Sequence, residues 1–320
     1  MRTILEVVLM TAALAVSSLA AAVDVPEQSL QGVVDRDVAA PAAADPFEVS
    51  VAPAELARRA AVQLKSRAAL VVRADNGEVL YRKNSDRPLP IASITKLMTA
   101  MVVLDAQQSF DDVLTVTSAD VDRVKRTASR LAVGTRLTRG EFMQLALMAS
   151  ENRAASVLAR NYPGGRAAAI GAMNRKAREL GMTSSKFVDG TGLSPANRAS
   201  PVDLVRLVKA ADGYADIRRF STAPRQTVKV GRRLQAFGNT NPLVRSPEWS
   251  IDLTKTGFIN EAGRCLVMQA RIADLPVILV LMDSVGTKTR VGDANRVRKW
   301  LEAALPAQAR QASARPLAAN

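Results

Sequence analysis

The segment Ser93-Ile94-Thr95-Lys96 carries the first chemistry that the chain can be read for. A serine and a lysine three positions apart share one face of a helix, so the amine can reach the hydroxyl. Pro90-Ile91-Ala92 leads straight into this segment, which puts Ser93 in the first helical turn, where unpaired backbone N–H groups favour a developing alkoxide. A second element, Ser150-Glu151-Asn152, sets a hydroxyl and an amide two residues apart in a break between two expected helices. The third, Lys255-Thr256-Gly257, lies in an expected strand, where alternation turns Lys255 and Gly257 to one face and Thr256 to the other. Glycine in a strand marks close approach by a ligand or another backbone, so Lys255 and Thr256 make a plausible carboxylate cradle. Each element also has an ordinary explanation. These are a Ser and a Lys that happen to share a helix face, a Ser or Asn that caps the next helix, and an edge strand protected by a lysine.

Composition narrows the choice. The 320 residues include no histidine, which removes Ser–His–Asp and Cys–His catalysis and every zinc site built on histidine. A single cysteine, Cys265, removes intramolecular disulfides and cysteine-cluster metal centres, and reads as a small core residue. A base acting at neutral pH must then be a lysine, a carboxylate, a tyrosine or an activated water. Lys96 fits only if its pKa falls well below about 10.4, which desolvation and a second nearby cation would both promote.

The elements that must position these residues follow from pattern. Pro53–Lys65 has helical composition, and Ala68–Ala74 and Glu78–Lys83 read as strands around the turn Asp75-Asn76-Gly77. Ser93–Gln107 is an apolar helix, and the capping box Thr138-x-x-Glu141 opens another running to about Ala149. Asn152–Asn161, Ala167–Leu180 (closed by Gly181) and a segment from Ser200 to near Gly213 complete a helical block. Gln226–Val230 is a short strand candidate. Ser250–Phe258, Arg264–Ile272 and Pro276–Asp283 follow as strands, and Asp293–Leu305 is a final amphipathic helix. Strands on both sides of a helical block must still pair, since a lone hairpin is marginal in water. The expectation is an α+β fold with one antiparallel sheet built from both chain ends. Terminal helices would cover one face, the helical block the other, and a cleft would lie between the sheet edge and that block.

Taken together and in order, S-x-x-K, S-x-N and K-T-G match the signature of serine β-lactamases and penicillin-binding proteins, with gaps of 57 and 105 residues. From about residue 55 to 305 the chain resembles the low-molecular-mass penicillin-binding proteins, with their β-lactamase/transpeptidase-like fold. Within the D-Ala-D-Ala carboxypeptidase family it is most similar to D-alanyl-D-alanine endopeptidases of the penicillin-binding protein 7 type. The resemblance rests on Arg87-Pro88-Leu89-Pro90-Ile91-Ala92-Ser93 through Ala100, on Asp189-Gly190-Thr191-Gly192-Leu193-Ser194, on Gly238-Asn239-Thr240-Asn241, and on Lys255 through Gly263.

The resemblance implies a role for each matching position. Ser93 would attack a D-alanyl carbonyl with Lys96 as its base, and Ser150 would relay a proton to the leaving amine. Asn152 would hold the substrate backbone, and Lys255 and Thr256 would bind the carboxylate next to the scissile bond, with Gly257 allowing the approach. The backbone N–H groups of Ser93 and Phe258 would form an oxyanion hole. No cofactor or metal is implied. The substrate would be a peptidoglycan peptide, and β-lactams would acylate Ser93. No E-x-x-x-N segment follows Ser150, which disfavours a class A β-lactamase. A non-catalytic β-lactam sensor would bring a signalling span that the sequence does not display. Between endopeptidase and carboxypeptidase, only 15 residues follow Leu305, too few for the carboxypeptidases' extra domain and membrane helix.

The ends of the chain suggest an address. Arg2, the uncharged stretch Val7–Val23 and the small residues Ala20-Ala21-Ala22 read as a secretory signal over 1–22, with an uncleaved anchor as the alternative. Residues 23–54 read as an Ala-, Pro- and Asp-rich disordered linker and 306–320 as a flexible tail, flanking a catalytic domain over 55–305. A periplasmic location follows from that signal. The residues after 54 hold 42 basic and 23 acidic side chains, a surface suited to anionic wall polymers or lipid head groups. Aromatics are only 4% and no nucleic-acid motif is present, so nucleic acid is not expected.

Overall fold

Aliphatic and β-branched runs from both halves of the chain meet in one sheet. The computed structural model describes residues 62–304. Strands β1 (Ala68–Arg73) and β2 (Val79–Lys83) form the first hairpin. The short strands β3 (Leu89–Pro90), β4 (Val113–Thr115), β5 (Arg136–Thr138) and β6 (Arg198–Ala199), and the hairpin β7 (Arg225–Val230) and β8 (Arg233–Gly238), pair outside the main sheet. The strands β9 (Ser250–Ile259), β10 (Gly263–Ile272) and β11 (Leu275–Ser284) return to it. The five-stranded order is β2-β1-β11-β10-β9, antiparallel throughout. The first and last strands of the described residues therefore meet where β1 pairs with β11, and β9, which carries Lys255-Thr256-Gly257, is an edge.

Seven helices are described: α1 (Thr95–Asp105), α2 (Arg139–Met148), α3 (Asn152–Arg160), α4 (Gly165–Glu179), α5 (Pro201–Asp212), α6 (Ala215–Thr222) and α7 (Thr289–Ala304). Period-2 alternation gives the sheet two apolar faces. Leu70, Val72, Val267, Ile278 and Val280 pack against the helical block α1–α6. Ala69, Val71, Leu266, Met268, Leu279 and Leu281 pack against Ala294, Val297 and Leu301 of α7. Burying each such aliphatic side chain contributes about 1.5–3 kcal/mol, enough to hold the two layers as walls for what lies between them.

The capping box Thr138–Glu141 opens α2, and Ser200 caps α5, as their patterns predict. Two expectations need correction. The helix expected over Pro53–Lys65 does not reach its predicted end, because residues 62–65 are irregular. There the Lys65 and Ser66 amides donate to the Asp293 carboxylate at 3.0 and 2.7 Å, anchoring the segment to α7. The remainder of that stretch, the signal 1–22, the linker 23–54 and the tail 306–320 lie outside the described residues. Ser93 is not in the first turn of an α-helix but in a 3-10 turn, Ala92–Ile94, that feeds α1. The expected strand Gln226–Val230 is present as β7, one arm of a hairpin turning at Gly231 (φ 60°), while its second arm β8 and the helix α6 have no counterpart in the sequence pattern.

Candidate active site

The 3-10 turn preserves the i, i+3 relation, and Lys96 Nζ lies 2.7 Å from Ser93 Oγ. Lys96 is 1% exposed, yet each of its donors has a partner. Its Nζ also donates to Asn152 Oδ1 at 2.8 Å and to the Thr191 carbonyl at 2.6 Å. Burial on the apolar face of α1 pushes the lysine down to about 7, against the opposing pull of Asp189 and Glu151. Much of it is therefore neutral at neutral pH. A neutral amine has two N–H groups and one lone pair. Asn152 Oδ1 and the Thr191 carbonyl can only accept, so the lone pair falls to the Ser93 hydroxyl, the one partner able to donate. Asn152 is itself oriented by its Nδ2, which donates to Thr127 Oγ1 at 3.0 Å.

Across the cleft, Lys255 reaches from edge strand β9 and donates to Ser150 Oγ at 2.9 Å and to the Thr256 carbonyl at 3.0 Å. It is 1% exposed, which rules out the role of a solvated edge lysine. Burial holds its pKa well below the usual value, with Lys96 and Arg290 adding like-charge repulsion. Ser150 occupies the left-handed region at φ 57°, just past the end of α2. The cap of α3 is Glu151, whose carboxylate accepts from the Arg153 amide at 3.3 Å. Neither Ser150 nor Asn152 is spent on capping, and both face the cleft. The three elements that the sequence singled out thus converge on one point.

Thr256 points to the opposite face, where its Oγ1 lies 2.6 Å from Thr240 Oγ1. A β-carbon at Gly257 would sit 2.9 Å from the Ile91 carbonyl oxygen and 3.2 Å from the Ser93 nitrogen. Only hydrogen fits there, so the β9 backbone runs directly beside the Ser93 amide. The Phe258 side chain is 49% exposed and stacks under the Arg264 guanidinium, 4.5 Å from the ring centre. Any part Phe258 takes at Ser93 must come from its backbone.

Sequence reasoning gave no role to the loop Asp189–Ser194, although the resemblance quoted it. Asp189 Oδ1 accepts from the Thr191 amide, the Thr191 hydroxyl and the Gly192 amide at 2.6, 2.7 and 2.7 Å, and its Oδ2 from the Ser194 amide at 3.0 Å. This aspartate winds the loop that aims the Thr191 carbonyl at Lys96. Asn197, fully buried, ties the loop to α1 through Thr95 Oγ1 at 3.0 Å and through the Asp189 carbonyl at 2.9 Å. The turn-forming composition Asp-Gly-Thr-Gly was the available signal. Cys265 is fully buried, its thiol pushed up to about 11 by burial, and lies outside this chemistry. Among the described residues no group of three His, Cys, Asp or Glu could hold a metal.

Fold and site together define the class of serine acyl-transfer proteins that work through a Ser–Lys pair. A sequence model of the D-alanyl-D-alanine carboxypeptidase family, the S11 peptidases, matches residues 54–286, and the chain belongs to this family of serine hydrolases. It is 46% identical over 254 residues to a D-alanyl-D-alanine endopeptidase of Pseudomonas aeruginosa, covering 78% of this chain and 82% of that one. It is 43% identical over 262 residues to the protein of the same name in Escherichia coli, covering 79% and 84%. Among solved structures it is similar to the Streptomyces K15 DD-transpeptidase, with a TM-score of 0.71 and 26% identity over 77% of this chain and 100% of that one. It is also similar to the Listeria monocytogenes penicillin-binding protein D2 in its cefotaxime-bound form, with a TM-score of 0.66 and 28% identity over 76% and 99%.

Proposed function

We propose that this protein is a serine D,D-peptidase that hydrolyses D-alanyl bonds of peptidoglycan, chiefly the D-Ala–diaminopimelate cross-links. The observation that carries the reading is the buried Lys96, whose two acceptor-only partners leave its lone pair to Ser93. Lys96 takes the hydroxyl proton as Ser93 Oγ attacks the D-alanyl carbonyl. The oxyanion is met by the backbone N–H groups of Ser93 and Phe258, donors that need no reorganisation as charge develops. Ser150, hydrogen-bonded to Lys255, hands its hydroxyl proton to the leaving amine as the C–N bond breaks and takes up in turn the proton that Lys96 had accepted, which leaves Lys96 neutral again. Asn152 holds the backbone of the acyl strand, and Lys255 and Thr256 hold the carboxylate beside the scissile bond. Water then hydrolyses the ester, with Lys96 again as base. A cavity of about 720 Å³ flanks Asn152 and Thr191 and offers room for the acyl-side peptide.

The endopeptidase reading is supported by the names of the relatives at 46% and 43% identity, and carboxypeptidase action on pentapeptides is the second reading. Export by a cleaved signal to the periplasm is part of this proposal, as is attachment of the basic surface to anionic wall or lipid. Fluorescent penicillin should label the wild type covalently and fail to label Ser93→Ala; label retained at another residue overturns the nucleophile. Digestion of cross-linked muropeptides should turn dimers into monomers. Release of alanine from pentapeptides alone would make the enzyme a carboxypeptidase.

A further inference from the structure

The face of β9 that carries Thr256 leads to a second hollow. Thr256 touches Thr240, and Thr240 lines a cavity of about 570 Å³, a size in the range of ligand clefts. Arg264, Lys288 and Arg290 line it as well, with Thr287 and Asn295, and no acidic residue does. Arg290 donates to the Gly257 and Cys265 carbonyls at 2.9 and 3.2 Å, which fixes it to the strand that carries the carboxylate cradle. Burial lowers its pKa, and repulsion from Arg264 lowers it further, so the two guanidinium groups share one region of space. None of the three cations enters an ion pair among the described residues. The cavity at Asn152 differs in having an acidic lining residue, Asp120, which pairs with Arg160 and with the lining residue Arg166. Like charges around a hollow repel one another, and an incoming anion relieves that repulsion.

We infer that this cavity is the subsite for the strand that leaves, with Arg264 and Lys288 binding carboxylates of the second stem peptide and so favouring cross-links over free D-alanyl ends. The inference rests on the D,D-peptidase reading. When a carboxypeptidase acts, its leaving group ends at the carboxylate held by Lys255 and Thr256. When a cross-link is cut, the leaving group continues past that carboxylate as a whole peptide with further acidic groups. The contact from Thr256 to Thr240 gives that continuation a direction, and the unpaired cations give it a partner.

The test uses the whole enzyme and its variants Arg264→Gln, Lys288→Gln and the double substitution. Three quantities are measured for each: acylation by a fluorescent penicillin, D-alanine release from a monomeric pentapeptide muropeptide, and cleavage of a D-Ala–diaminopimelate cross-linked dimer. Relative to acylation in the same variant, kcat/KM for the dimer should fall about tenfold per substitution, mainly through KM, and several-fold more than for the pentapeptide. Amidating the carboxylates of the leaving stem should impose a similar loss on the wild type and little more on the variants. An unchanged dimer ratio, or equal losses on both substrates, overturns the subsite. If the wild type neither takes up penicillin nor cuts either muropeptide, the underlying reading fails instead.

Discussion

Gly192 and Ala92 approach so closely that a β-carbon on Gly192 would lie 1.9 Å from the Ala92 carbonyl oxygen. Both are left-handed, at φ 82° and 47°. Ala92 immediately precedes the nucleophile candidate, and Gly192 immediately follows Thr191, whose carbonyl holds Lys96. The contact therefore locks the two halves of the Ser–Lys pair to one another. It also explains why a non-glycine residue is kept at positive φ, a strain of about 1–3 kcal/mol that the surrounding loop must hold in place.

Gly192→Ala should separate the loop from the turn. The new methyl cannot coexist with the Ala92 carbonyl, and the backbone conformation is itself unfavourable for alanine. Penicillin acylation is expected to slow by at least about a hundredfold, equivalent to about 2.7 kcal/mol, with a lowered Tm. Stopped-flow acylation and thermal unfolding measure the two effects. A variant with wild-type values for both would show that this contact positions nothing.

Lys96 predicts a dependence of acylation on pH. Acylation needs Lys96 neutral, so the rate should climb with pH through about 7 and then level off. The sign for stability runs the same way on the acid limb. The unfolded chain binds the Lys96 proton more tightly than the folded one, so between about 7 and 10.4 the lysine's contribution to stability rises with pH. Glu151 pulls the Lys96 pKa upward, and its Oε1 accepts from Ser129 Oγ and the Arg153 amide, bonds that a glutamine carbonyl can keep. Glu151→Gln should shift the rising limb to lower pH with little loss of maximal rate. A limb that stays put or moves to higher pH would contradict this electrostatic account.

Much of this was legible beforehand, for definite reasons. The β1–β2 hairpin and strands β9 to β11 show as β-branched runs bounded by turn residues, and the capping box and Ser200 mark helix starts that no other pattern imitates. The pairing of chain ends followed from the instability of isolated hairpins. The two-residue strands β3 and β6 have no periodicity to read, and β8 hides because Arg233, Leu234 and Ala236 are exposed. At the site, Ser93, Lys96, Ser150, Asn152 and Lys255 could be read because their chemistry lies in side chains at fixed spacing. Asn197 and Thr240 could not, since each acts through bonds to residues distant in sequence, and Asp189 shows only as a turn former, its bonds lying within its own loop while the Lys96 that the loop meets lies far off in sequence.

Ser150 sets stability against function. A serine at φ 57° is strained where glycine is not, so Ser150→Gly should relieve about 1 kcal/mol and raise Tm by about 2–4 °C. The same change removes the hydroxyl that Lys255 binds, and kcat should drop by about two orders of magnitude. Differential scanning calorimetry beside muropeptide kinetics tests both directions. Full activity in the glycine variant would free Ser150 from proton relay.

Asn197 offers the sharpest test of how the site is held from behind. Its Oδ1 accepts from the Val188 and Asp189 amides at 2.7 and 3.2 Å, its Nδ2 donates to Thr95 Oγ1 and the Asp189 carbonyl, and its own carbonyl accepts from the Ile91 amide at 3.0 Å. Asn197→Ala keeps the backbone bond and strands the rest in a fully buried space, costing about 1–3 kcal/mol for each group left without a partner or a water. A pure stability defect would leave the folded fraction fully active at low temperature. The loop that Asn197 ties to α1 is the one that aims Thr191 at Lys96, so the folded variant should also acylate more slowly, and lowering the temperature should not restore the rate. Recovery of full acylation well below the Tm would reduce Asn197 to a packing residue.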